Sequence, residues 1–133
     1  MSDELKKILI VEDDDLITQM YRASLATAKL DIQLERDGES GWTVIQNNHF
    51  DLIILDFMMP KLNGLEVLHK IRSDERLKNI PVIIMSSLSG EADKKRAMDA
   101  GATAYWVKSE VNMVEFEKKI TGMLSQTSPN QLQ

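Results

Sequence analysis

Four short apolar runs constrain this chain more than anything else in it. They are ILIV (Ile8 to Val11), LIIL (Leu52 to Leu55), VIIM (Val82 to Met85) and AYWV (Ala104 to Val107). Each is rich in β-forming residues and too short for a buried helix. None alternates between apolar and polar, so each predicts a strand covered on both faces, as in a parallel sheet between two helical layers. A fifth run, DIQLE (Asp31 to Glu35), does alternate and fits an edge or half-covered strand.

Helical patterns fill the intervals. Leu16 to Ala28 places Leu16, Met20 and Leu25 at helical spacing behind Asp14 and Asp15, which are read first as capping residues. Glu39 to Asn47, Leu65 to Arg72 and the more polar Glu91 to Ala100 follow, the last stopped by Gly101. Met113, Phe116, Ile120 and Met123 form the stripe of a final helix. The order is β-α repeated five times, which predicts one α/β three-layer domain over residues 1–124 and a polar tail over 125–133.

Composition narrows the function classes. A net charge of -5 over 133 residues, with basic residues scattered, argues against direct contact with nucleic acid. The absence of cysteine removes disulfides and thiolate metal sites. The N-terminal MSDELKK has no apolar core of signal-peptide length, and no run approaches a membrane span, so a cytoplasmic protein is expected. No glycine-rich phosphate loop follows the first strand, against a nucleotide fold of that kind.

In open parallel sheets, sites form beyond the carboxyl ends of the strands. Here those ends carry Glu12, Asp13 and Asp14 after the first strand, Asp56 after the third, Ser86 and Ser87 after the fourth and Lys108 after the fifth. Carboxylates from two strand ends repel unless a cation intervenes, and Mg²⁺ suits such an oxygen-donor set. A lysine and a hydroxyl at the remaining corners suit a phosphoryl group, and an aspartate is able to accept one as a nucleophile. Each residue alone has a plainer reading. Asp13 is open between cap and ligand, Asp56 fits the turn that runs to Asn63-Gly64, and Ser86 and Ser87 fit a loop start. Lys108 fits a solvated charge, Met58 and Met59 fit gap-filling core, and His49 and His69 fit structural or surface roles. The coincidence of four strand ends favours the functional reading.

The motifs ILIVEDDD, LIILDFMMPKLNG, PVIIMSS and GATAYWVK, in this order over nearly the whole chain, resemble the receiver domain of bacterial two-component response regulators, of the stand-alone chemotaxis-regulator kind. The resemblance implies a flavodoxin-like sheet of order 2-1-3-4-5. It implies Asp56 as phosphoacceptor and Asp13 as a direct Mg²⁺ ligand, with Glu12 acting mostly through water and Mn²⁺ able to substitute for Mg²⁺. The Met58 backbone carbonyl would face the metal, Ser86 and Tyr105 would be the switch pair, and Lys108 would hold a phosphoryl oxygen. The implied reaction is phosphoryl transfer from a sensor histidine kinase or a histidine phosphotransfer protein. The readout falls to an output partner on the fourth helix, fifth strand and fifth helix, around Lys94, Lys95, Arg96, Tyr105 and Trp106. Alternation points the Tyr105 and Trp106 rings to opposite faces.

Two departures from the family pattern stand out. Ser109 occupies the place after the lysine where the family usually has a cis-proline, and a cis bond to serine costs ~2.5–4 kcal/mol. The expectation divides there between a strained cis bond and a trans bond in a reshaped loop, and the segment before the last helix looks a residue longer than usual. Met58 and Leu88, flanking the acceptor site, are both apolar, which predicts a long-lived aspartyl phosphate. With no output domain after Leu124, a stand-alone switch is the leading expectation. The alternatives are a phosphorelay intermediate and the receiver of a longer DNA-binding regulator.

Overall fold

The computed structural model describes residues 5–59 and 61–126. Pro60, read as part of the turn after Asp56, and the tail beyond 126 lie outside them. Five strands alternate with five helices: β1 (Lys6–Val11), α1 (Asp15–Ser24), β2 (Leu30–Glu35), α2 (Gly38–Asn47), β3 (Leu52–Asp56), α3 (Gly64–Arg72), β4 (Val82–Ser86), α4 (Glu91–Asp99), β5 (Ala104–Val107) and α5 (Met113–Gln126). A short 3₁₀ turn, Lys108–Glu110, follows β5. The sheet is parallel throughout, in the order β2-β1-β3-β4-β5. This is the flavodoxin-like architecture expected from the motifs.

The two helical layers explain why the apolar runs are unbroken. Leu9, Val11, Ile53, Leu55, Val82 and Ile84 point to one face, against Ile45 of α2, Val67, Leu68 and Ile71 of α3 and Ala97 of α4. Their strand neighbours Ile8, Ile10, Leu52, Ile54, Ile83 and Met85 point to the other, against Tyr21 and Leu25 of α1 and Phe116 and Ile120 of α5. With both faces covered, every position of β3 and β4 is buried. β2 lies at the sheet edge and is only half-buried, in keeping with its alternation. Tyr105 joins the first layer and Trp106 packs against the second, edge-on to Phe116.

Local signals set the helix starts. Asp14 caps α1, its carboxylate accepting from the amides of Leu16 and Ile17, and Asn63 and Glu66 form a reciprocal capping box on α3. α1 ends at Ser24, four residues before the Ala28 that the spacing predicts. Leu25 turns into the α1–α5 layer, the Ser24 hydroxyl donates to the Met113 carbonyl, and Ala26 to Ala28 turn the chain toward β2. α4 is the least anchored helix. Its N-cap is Gly90 with no side-chain bond, and it buries only Ala97.

Candidate functional site

Backbone hydrogen bonds bring two acidic strand ends to one place. β3 delivers Asp56 opposite Met85 of β4, and the following Phe57 amide donates to the Met85 carbonyl at 2.8 Å. Glu12 leaves β1 with its amide bonded to the Glu35 carbonyl at 3.0 Å. The loop after Asp56 then folds tightly beneath it. A Cβ on Gly64 would fall 2.4 Å from the Asp56 carbonyl oxygen, so only glycine lets α3 begin there.

Asp56 is 5% exposed and Glu12 2%, whereas Asp13 is open to solvent. Oxygens from all three lie within 4.8 Å of one another. Lys108 reaches back from beyond β5, its Nζ 2.9 Å from Glu12 Oε1 and 3.2 Å from Asp56 Oδ1. The Lys108–Ser109 bond is trans, as is every peptide bond among the described residues. The reshaped loop is therefore the one adopted: the 3₁₀ turn Lys108–Glu110 places the lysine without a proline.

Electrostatics follow from burial. Burial raises the Glu12 pKa to about 7, Asp56 alongside adds to the rise, and Lys108 opposes it. Burial likewise raises Asp56, against the lowering influence of Glu12, Lys108 and the Met58 amide. Burial disfavours the charge on Lys108, but Glu12 and Asp56 outweigh it and hold its pKa above the ordinary value. A crowded acid pair and one ammonium thus share the pocket. Three carboxylates form a hard, all-oxygen donor set, and the burial that penalises their charge is what a small dication offsets. The residues present fit Mg²⁺ or Mn²⁺.

Ser86 is fully buried at the end of β4, and its Oγ accepts from the Leu88 amide at 2.9 Å. The Tyr105 hydroxyl donates to the carbonyl of the same Leu88 at 2.7 Å. The two residues expected to switch together thus hold one loop residue from both sides. Ser87 is exposed. Met58, read as core or carbonyl donor, sends its side chain into solvent at 60% exposure, while Met59 packs against the core. Asp15 pairs with Arg36, and His49, exposed, pairs with Asp51 at the start of β3, at the amino end of the strands and away from their carboxyl ends.

Sequence reading missed Phe57. Its ring meets Tyr105 edge-on at 6.2 Å and 90°, and the Arg96 guanidinium of α4 lies 5.6 Å from its centroid. Its place after Asp56 was the available signal. Nothing in the pattern indicated Arg96 as its partner.

The family model of the response regulator receiver domain matches residues 8–121, and the chain belongs to that family. It is 36% identical over 120 residues to the response regulator ArlR of Staphylococcus saprophyticus, covering 90% of this chain and 53% of that protein. Among solved structures it is similar to the phosphorylated cyanobacterial phytochrome response regulator RcpA, with TM-score 0.80 and 30% identity over 92% of this chain and 94% of that one. It also resembles the Mn²⁺-bound form of the response regulator Rcp1, with TM-score 0.77 and 29% identity over 90% and 92%. The chain spans about half or less of the length of the curated relatives it matches. Among the described residues no helix is long and apolar enough to cross a membrane.

Proposed function

We propose that this receiver domain is a phosphorylation switch in which Asp56 takes a phosphoryl group from a phosphohistidine of a sensor kinase or a histidine phosphotransfer protein. The observation that carries the reading is the buried Asp56 carboxylate, 3.2 Å from Lys108 and within 4.8 Å of Glu12 and Asp13. An Asp56 oxygen forms the new P–O bond, the P–N bond breaks, and the imidazole leaves with its electron pair and gains a proton. Lys108, already between the carboxylates, pairs with a phosphoryl oxygen as charge builds there. Glu12 and Asp13, with Asp56 and the Met58 carbonyl, would hold Mg²⁺. When bound, that ion neutralises charge on the transferred group.

The acyl phosphate adds acceptor oxygens beside Ser86. The Ser86 hydroxyl turns to donate to them, which alters its hold on Leu88 and, through Leu88, on Tyr105. Readout falls to a protein partner on the face of α4, β5 and α5, and the net charge of -5 favours such a partner over nucleic acid. A single-domain regulator acting in the cytoplasm is the leading form proposed. The greater length of the curated relatives favours a second form, a receiver joined to a further domain such as a DNA-binding one. A phosphorelay intermediate would differ from both by passing its phosphoryl group to a histidine.

The test is incubation with acetyl phosphate and Mg²⁺ followed by intact mass. One phosphoryl addition, lost on chelation of Mg²⁺ and in Asp56→Asn, is expected. An Asp56→Asn protein that took up phosphate at the wild-type level would overturn the site.

A further inference from the structure

α4 is held unequally along its length. At its carboxyl end Gly101 takes a φ of 105°, and the amides of Gly101 and Ala102 close back on the carbonyls of Met98 and Ala97 at 3.1 and 3.0 Å. The half-buried Arg72 gathers the chain around that turn. Its Nε donates to the Gly101 carbonyl at 2.8 Å, and its Nη1 donates to the carbonyls of Lys78 at 3.0 Å and Ile80 at 2.7 Å. Just beyond, the Thr103 amide donates to the Val82 carbonyl at 2.8 Å, and the Thr103 hydroxyl accepts from the Val82 amide at 3.0 Å. The end of α4 is thus tied to α3, to β4 and to the loop between them.

The amino end has no such ties. Residues 87–92 are exposed, Gly90 offers no side-chain cap, and the restraint there is the hold of Ser86 and Tyr105 on Leu88. Between the two ends α4 buries Ala97 and lays Arg96 on Phe57, the guanidinium carbon 5.6 Å from the ring centroid. Asp93, one turn earlier on the same helix, holds Arg96 Nη1 at 3.3 Å and steadies it over the ring. Phe57 itself belongs to the acceptor strand. Its amide donates to the Met85 carbonyl, its carbonyl accepts from the Gly64 amide, and Tyr105 meets its ring edge-on.

We infer that α4 is a lever pivoting on the tie between Arg72 and Gly101, and that Arg96 on the Phe57 ring is the latch that keeps it closed while Asp56 is unphosphorylated. The inference rests on the phosphorylation reading above and deepens it. When Ser86 turns to the acyl phosphate, the Leu88 amide loses its acceptor, and Leu88 leads directly into α4. A helix released at one end and tied at the other swings, which lifts Arg96 off a ring that stays with the acceptor strand. A contact made only in the closed form opposes phosphorylation by the same free energy with which phosphorylation opposes the contact.

The pivot is tested by amide hydrogen exchange on the unphosphorylated wild type, with no variant needed. The Lys94 and Ala102 amides are both hydrogen-bonded, to the carbonyls of Gly90 and Ala97. Ala102 should be protected roughly tenfold or more beyond Lys94. Arg72→Lys, which keeps the charge but not the fork of donors, should bring Ala102 down toward Lys94. Equal protection of the two amides in wild type would overturn the pivot. The latch is tested with Arg96→Met, which keeps an unbranched stem without the guanidinium. Lys94 should lose protection, Ala102 should keep it, and acetyl phosphate should label Asp56 roughly two- to fivefold faster. Unchanged or slower labelling, beside a wild type that labels, would overturn the latch and leave the phosphorylation reading standing. A wild type that took up no phosphoryl group would overturn that reading and the latch together.

Discussion

Lys108 Nζ lies 3.2 Å from Asp56 Oδ1 although Ser109, joined by a trans bond, follows the lysine. The 3₁₀ turn after β5 supplies the direction that a cis-proline gives elsewhere in the family, and Glu12 at 2.9 Å holds the far side of the ammonium. Lysine placement here is a matter of charge as much as of backbone. The two buried carboxylates draw it in.

Removing one acid should therefore relieve the fold while disabling the chemistry. Asp56→Asn leaves Lys108 with Glu12 as partner and eliminates a carboxylate whose ionisation burial opposes. In the absence of metal, its urea midpoint should rise, by roughly 1–2 kcal/mol of stability, with phosphorylation abolished. A lowered midpoint would contradict the electrostatic account.

The Glu12 pKa predicts a pH dependence of stability with a definite sign. Between the ordinary value of 4.5 and about 7 the folded state holds a proton that the unfolded chain releases. This contribution is fully present below pH 4.5 and is lost as the pH rises to about 7. Its size is at most about 3 kcal/mol. Urea unfolding from pH 4.5 to 8 without Mg²⁺ should show the decline, and Glu12→Gln should flatten it.

The approach of α3 to the acceptor strand leaves no room for a side chain. Gly64→Ala sets a Cβ 2.4 Å from the Asp56 carbonyl oxygen, in a loop also fixed by the Gly64 amide donating to the Phe57 carbonyl. Destabilisation of roughly 1–3 kcal/mol and slower labelling at Asp56 are expected, read by thermal melting and acetyl phosphate uptake.

Tyr105 and Ser86 hold Leu88 between them. Tyr105→Phe removes the hydroxyl that donates to Leu88 and should cost about 1 kcal/mol. Faster amide exchange should be confined to 87–90 and the start of α4, the helix with the fewest anchors. Uniformly faster exchange would show that the phenol supports the whole core instead.

Both positions expected to tune hydrolysis carry exposed apolar side chains, Met58 and Leu88. Neither side chain hydrogen-bonds an attacking water, so the aspartyl phosphate should persist for minutes or longer after the phosphodonor is removed. Loss within seconds would refute this.

Much was legible in the linear chain. Unbroken apolar runs of strand length require a helical layer on each side, because alternate residues leave opposite faces of a strand and both must avoid water. The five-fold β-α order, the edge position of β2 and the capping by Asp14 follow from patterns local in sequence. So does the placement of Glu12, Asp56, Ser86 and Lys108 at strand ends.

Only the tertiary structure decided how those ends meet. It set the trans bond at Ser109, the Lys108 bridge between Glu12 and Asp56, the shared grip of Ser86 and Tyr105 on Leu88, and the rings around Phe57. These are distances between residues far apart in the chain, fixed by strand order and register, and an apolar pattern that buries a ring does not say where its hydroxyl will point.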